Sequence, residues 1–150
     1  HDDVAPELRV EGAIPSVRAD REQVAQVLVN LVQNARDAAL ARHGMRGGVV
    51  RVLLRADRDG VLVSVLDNGP GIPLDQRDTV FEPYYTTKST GTGLGLAIVQ
   101  RIVEDHGGLI ELGEGLDGGA GFRVFFPVSG PPMDPSESQG DATLSEMTRG

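Results

Sequence analysis

The chain predicts an α/β fold in which helices cover one face of a sheet, and three observations carry that reading. Two segments show helical apolar spacing. Five short runs are rich in β-branched residues and leucine, and turn residues separate the strand and helix segments in a mixed order. The 150 residues suit one domain, since domains most often hold roughly 100–150.

Leu8 to Ile14 is the first strand candidate. Asp20, followed three residues later by Gln23, has the form of a helix-opening capping box. Behind it Val24, Val27, Leu28, Leu31, Val32, Ala35, Ala38 and Ala39 keep helical spacing to about Ala41, and Gly44, Gly47 and Gly48 end that helix. Val49 to Arg55 and Val61 to Leu66 read as strands joined by the hairpin turn Asp57-Arg58-Asp59-Gly60. A second helix starts near Leu94 and stops at His106, before Gly107-Gly108. Leu109 to Leu112 and Phe122 to Val128 complete the strands.

Residues 67–93 form a long polar loop with one helical patch around Leu74 to Val80. A loop of that length in a compact domain is either functional or misassigned, and its glycines favour function. Ser129 to Gly150 differs in composition: three prolines and four carboxylates against one arginine predict a flexible acidic tail. The folded unit is therefore expected over residues 17–128, with 1–16 as a lead-in strand and linker.

Composition excludes several classes of function. With 39% hydrophobic but only 4% aromatic residues, the core must be mostly Val, Leu, Ile and Ala. A net charge of −8 argues against nucleic acid or an anionic membrane surface as partner. The absence of cysteine removes disulfides, thiolate metal sites and thiol nucleophiles. No apolar run approaches the roughly 18 residues of a membrane span, and no signal peptide is evident, so a soluble cytoplasmic domain is expected.

Three clusters could carry chemistry. On the first helix, at roughly 100° per residue from Val24, Asn30, Asn34 and Asp37 fall together at about 220–280°, on one margin of the apolar stripe. They are either ordinary surface polar residues or ligand groups, and asparagine's poor helix propensity invites the second reading. Asp67-Asn68-Gly69-Pro70-Gly71-Ile72 follows an apolar strand. It is either a plain turn or a carboxylate able to accept from a base amine, beside glycines that admit a flat ligand. Gly91-Thr92-Gly93-Leu94-Gly95-Leu96 opens the second helix, where free amides and the helix dipole favour phosphate. Its spacing is neither a dinucleotide fingerprint nor a Walker A loop. Lys88, the only lysine of the chain, stands three residues before it.

In this order, Asn-x-x-x-Asn on a helix, Asp-x-Gly-x-Gly after a strand and Gly-x-Gly-x-Gly before a helix resemble the N, G1 and G2 boxes of the GHKL ATP-binding fold. Phe81-Glu82-Pro83-Tyr84-Tyr85-Thr86-Thr87-Lys88 is similar to the F box of histidine kinases. The resemblance runs from about Val17 to Val128 and is strongest to catalytic domains of bacterial sensor kinases of nitrogen-regulation type. It implies a Bergerat fold: a two-layer α/β (α+β) sandwich whose mixed, mostly antiparallel sheet carries helices on one face, with a long ATP lid over residues 74–93.

The resemblance further implies that the domain binds Mg-ATP and passes its γ-phosphate to a histidine on a separate dimerisation domain. Asp67 would take the adenine amine, with Gly69, Gly71 and Ile72 around the base. Asn34 would hold Mg²⁺, assisted by Asn30, with Asp37 one turn on. Tyr85, Thr86, Thr87 and Lys88 of the lid would join Gly91, Thr92, Gly93, Leu94, Gly95 and Leu96 at the phosphates. The implied partners are that histidine domain, which would make the parent kinase a homodimer, and a cognate response regulator. The parent could be anchored in the inner membrane. Hydrolysing relatives carry a glutamate that activates water, whereas the carboxamide of Asn30 has no basicity for that task.

Three features depart from the pattern. Asp37 stands where many kinases place a basic phosphate contact, which leaves Arg36 or Arg42 to compensate or the site to rely on Lys88. Ala120-Gly121 stands where threonine is frequent. The phosphoacceptor box is not among these residues, since His1-Asp2 lies too close to Asn30 to serve. His43 and His106, at helix ends, are expected to be structural or solvent-facing. A nucleotide-binding regulatory module and an anti-sigma-type serine kinase share the fold and stand as alternatives.

Overall fold

The computed structural model describes residues 4–44, 46–83 and 94–130. Strand β1 (Pro6–Glu11) is followed by helix α1 (Arg21–His43) and the hairpin β2 (Val50–Asp57) and β3 (Gly60–Asp67). Two single 3₁₀ turns, Leu74–Gln76 and Thr79–Phe81, precede helix α2 (Gly95–Asp105), and β4 (Leu109–Glu114) and β5 (Ala120–Pro127) end the domain. The five strands form one sheet in the order β1-β2-β3-β5-β4. β1 runs parallel to β2 and every other pair is antiparallel. This is the mixed, mostly antiparallel sheet expected from the family resemblance.

Each predicted element exists, with shifted ends. The first strand begins at Pro6 and stops at Glu11 rather than running to Ile14, because Gly12, at φ 71°, turns the chain away. The capping prediction holds: the Asp20 carboxylate accepts from the Gln23 amide at 3.1 Å. α1 extends two residues past Ala41 and closes where the Gly44 amide donates to Leu40 O at 2.8 Å. The single helical patch of the long loop is instead two separate 3₁₀ turns. Between them the Arg77 Nε donates back to Ile72 O at 3.1 Å, which turns the chain before a full α-helical turn can form.

Register explains the core. Val50, Val52 and Leu54 of β2 pair with Asp67, Val65 and Val63 of β3, and those last two pair with Phe122 and Val124 of β5. That face meets Val24, Val27, Leu31, Ala35 and Ala39 of α1 and Val99, Ile102 and Val103 of α2, all buried. Aliphatic residues dominate, as the composition requires, with Phe122 and Phe126 as the buried aromatics. Asp67 is on the same face, so its carboxylate is directed toward the helix layer at the end of a central strand.

Candidate functional site

Asp67 is 2% exposed at the C-terminal end of β3. Its Oδ1 accepts from the Gly69 amide at 2.8 Å and from the Ala120 amide at 3.2 Å. Burial pushes the carboxyl above its ordinary value of 3.8, against the lowering effect of those two amides. With both amides on Oδ1, the second oxygen of this buried carboxylate is suited to a ligand that brings its own N–H donor.

The turn after Asp67 is held from several sides. The Leu116 amide donates to Asp67 O at 2.9 Å. The Asn68 carboxamide accepts from Val49 N and donates to Gly47 O, each at 2.8 Å, which ties the α1–β2 loop to the end of β3. Gly71, at φ 77°, faces the Gly118 carbonyl so closely that a Cβ could not be accommodated. A Cβ on Gly69 would meet the backbone and Cβ of Ala38 in α1 at 2.7 Å. Ile72 packs at the edge of the core. The predicted residues Asp67, Gly69, Gly71 and Ile72 thus lie together on one turn, against which the segment 115–120 packs.

Asn30, Asn34 and Asp37 are partly buried along one margin of α1. Asn30 Nδ2 donates to Gly95 O at 3.3 Å, and its Oδ1 accepts from Gln26 at 3.0 Å. Asp37 Oδ1 accepts from Gln33 at 3.0 Å. The N-terminus of α2, with Leu94, Gly95 and Leu96, therefore lies against the Asn30 end of this margin, while the Asp67 turn lies against its Ala38 end. Tyr85, Thr86, Thr87, Lys88, Gly91, Thr92 and Gly93 are outside the described residues. The root of the segment that leads to them is anchored: Val80 is buried and Phe81 meets Phe122 edge to face at 6.0 Å.

Sequence reading missed four parts of this arrangement. Arg42, read from sequence as one candidate phosphate contact, has its Nη1 donating to the carbonyls of Asp117, Gly69 and Asn68 at 2.6, 3.2 and 3.5 Å. The Asn68 side chain, read as part of a turn, is a strut. Ala120 and the loop before it close on Asp67 from 53 residues away. Arg77 bridges Ile72 O and, at 3.6 Å, the Glu114 carboxylate. Local spacing does not mark Ala120 as a partner of Asp67, because the β3–β5 register brings its amide there.

Comparison with known proteins agrees with this geometry. The profile of the family described as "Histidine kinase-, DNA gyrase B-, and HSP90-like ATPase" matches residues 19–130. Nitrogen regulation protein NtrY of Azorhizobium caulinodans is 40% identical over 146 residues, which is 95% of this chain and 19% of NtrY. The chain thus spans about a fifth of that relative. The catalytic domain of histidine kinase ThkA, in a nucleotide-free form, superposes with a TM-score of 0.73 at 35% identity, over 85% of this chain and 80% of that one. ThkA in complex with the response regulator TrrA gives 0.69 at 34% identity, over 85% of this chain and 35% of that one. The family is an ATPase family, and the residues it matches include the Asp67 turn and the polar margin of α1. This chain belongs to the histidine kinase-, DNA gyrase B- and HSP90-like ATPases, as a catalytic domain of the histidine kinase type.

Proposed function

We propose that this domain holds Mg-ATP along the polar margin of α1 and presents the γ-phosphate to a histidine on a separate dimerisation domain. One observation carries the reading: α1 touches both ends of the site. Asn30 bonds Gly95 at the start of α2, and Ala38 backs Gly69 beside the buried Asp67. Eight helical residues separate these points, about 12 Å at 1.5 Å per residue, a span on the scale of an extended nucleoside triphosphate. Asp67 takes the base amine at one end. The α2 N-terminus, with Lys88, Gly91, Gly93 and Gly95, takes the phosphates at the other.

The donor set fits magnesium. A carboxamide oxygen such as that of Asn34 is the hard ligand this ion takes. Magnesium supplies charge neutralisation across the phosphates when bound, while Asn30 and Asn34 orient its surroundings. With a carboxamide at Asn30 in place of a general base, the site favours transfer to a presented nucleophile over attack by water.

The relatives' own names support a kinase over a regulatory module or a serine kinase, and the ThkA–TrrA complex supports a response regulator as a downstream partner. Calorimetry with ATP and ADP in the presence of Mg²⁺ tests the binding. Labelled ATP with an added dimerising histidine domain tests the transfer. Acid-labile label on histidine is expected; acid-stable label, or no nucleotide binding, would refute the reading.

A further inference from the structure

We propose that Arg42 is a positioning residue for the base end of the site. The inference rests on the assignment of Asp67 to the base and departs from the phosphate-contact role that sequence suggests for this arginine. Arg42 lies in the last turn of α1, twelve residues beyond Asn30 and so about 18 Å along the helix from the α2 N-terminus. Its guanidinium is committed elsewhere. Nη1 donates to Asp117 O at 2.6 Å and to Gly69 O at 3.2 Å, with Asn68 O at 3.5 Å.

Those carbonyls belong to the two backbone segments that enclose Asp67. Gly69 supplies the amide bonded to the Asp67 carboxylate, and the segment holding Asp117 continues to Ala120, which supplies the second. Leu116, adjacent to Asp117, donates to Asp67 O at 2.9 Å. His43, next to Arg42, donates from Nε2 to Asn68 O at 2.9 Å. One turn of α1 thus clamps both sides of the carboxylate by their carbonyls and sets where its free oxygen points. One nitrogen of an always-charged group thereby bridges the two segments.

The test compares Arg42→Ala, Arg42→Lys and Asp67→Asn by calorimetry with AMP, ADP and Mg-ATP, together with amide exchange of the unliganded protein. Arg42→Ala is expected to weaken all three nucleotides by one common factor, roughly tenfold for loss of charge-assisted bonds. It should also speed exchange of the Gly69 and Ala120 amides while β3 interior amides stay protected. Lys keeps the charge on a shorter stem that reaches the two carbonyl segments less well, and should restore affinity only in part. The double variant Arg42→Ala, Asp67→Asn should lose less than the product of the single losses.

A loss that grows with phosphate number would overturn the inference in favour of phosphate contact. So would wild-type affinity in Arg42→Lys, which would leave charge alone as the cause. If Arg42→Ala proves poorly folded, the Lys variant and its Gly69 and Ala120 exchange decide. Should Asp67→Asn bind normally, the base assignment itself fails. Should it bind weakly while Arg42→Ala binds normally, only the positioning role fails.

Discussion

The backbone amide of Asp20 donates to Nε2 of His106 at 3.0 Å, across 86 residues of sequence. Since Nε2 accepts, the ring proton is on Nδ1, which donates to Ile102 O at 2.8 Å. The neutral imidazole is 2% exposed and packs edge to face on Phe126 at 5.8 Å. It joins the residue that caps the start of α1 to the one that ends α2. Both helices contribute to the site, so this bond helps fix the approach of Asn30 to Gly95. His106→Phe fills the volume but leaves the Asp20 amide without its partner, while Ile102 O keeps the backbone amide of residue 106 at 3.1 Å. A loss of about 2–3 kcal/mol in urea denaturation is expected. An unchanged midpoint would show that water or relaxation replaces the ring.

Asp67→Asn should separate stability from binding. In the folded protein burial holds the carboxyl above 3.8, so between that value and the raised one the folded state carries more protons than the unfolded state. Stability therefore falls as pH rises through this window and stays lower at neutral pH. Asparagine has no charged form, and its Oδ1 can still accept from Gly69 and Ala120. Thermal melts at neutral pH should place the variant at or above the wild type, with the gap closing below about pH 4. Nucleotide affinity should nevertheless drop by about 1–3 kcal/mol, the scale for losing a charged partner. A melting gap that widens on acidification would contradict the burial argument.

Gly119 and Gly118 offer a paired test of how tightly the backbone packs around Asp67. A Cβ on Gly119 would run into the Asp67 carbonyl and come within 2.8 Å of its Oδ1, whereas one on Gly118 meets nothing within 4 Å. Gly118→Ala faces only its positive φ of 82°, costing about 1 kcal/mol. Gly119→Ala should cost roughly 2–3 kcal/mol through overpacking and reduce nucleotide binding as well. Equal melting temperatures for the two variants would count against the close approach.

Asn30→Ala removes the carboxamide that links α1 to Gly95. A single partly buried hydrogen bond predicts a stability loss of only about 0.5–1.5 kcal/mol, while ATP affinity should fall more than adenosine affinity. Equal losses for both ligands would move Asn30 away from the phosphate end.

Helix and strand positions were legible because they depend on local periodicity. The spacing of Val24, Val27, Leu31, Ala35 and Ala39 matches the buried face of α1, and Asp20 caps it as its side chain predicts. Local chemistry also marked Asp67, Gly69 and Gly71, since an acid and two glycines beside an apolar strand are unusual together. The partners of Asp67 were not legible. Ala120 has no side-chain donor, and its amide reaches Asp67 only because β5 pairs with β3 so that Leu66 meets Gly121. Arg42 looked available for phosphate in the linear chain, yet it faces carbonyls at the other end of its helix.

Taken alone, the sequence determined the kind of domain: its elements, its aliphatic core, the lack of thiol chemistry and four ordered motifs that name an ATP-binding family. Those features come from local spacing and composition, which need no knowledge of the fold. Tertiary structure decided which groups hold Asp67, which end of α1 lies against its turn, and that His106 joins the two helices. Each of those depends on strand register and helix packing, where backbone groups far apart in the chain become hydrogen-bond partners. Backbone amides and carbonyls are identical at every non-proline position, so no residue code can announce which of them will meet.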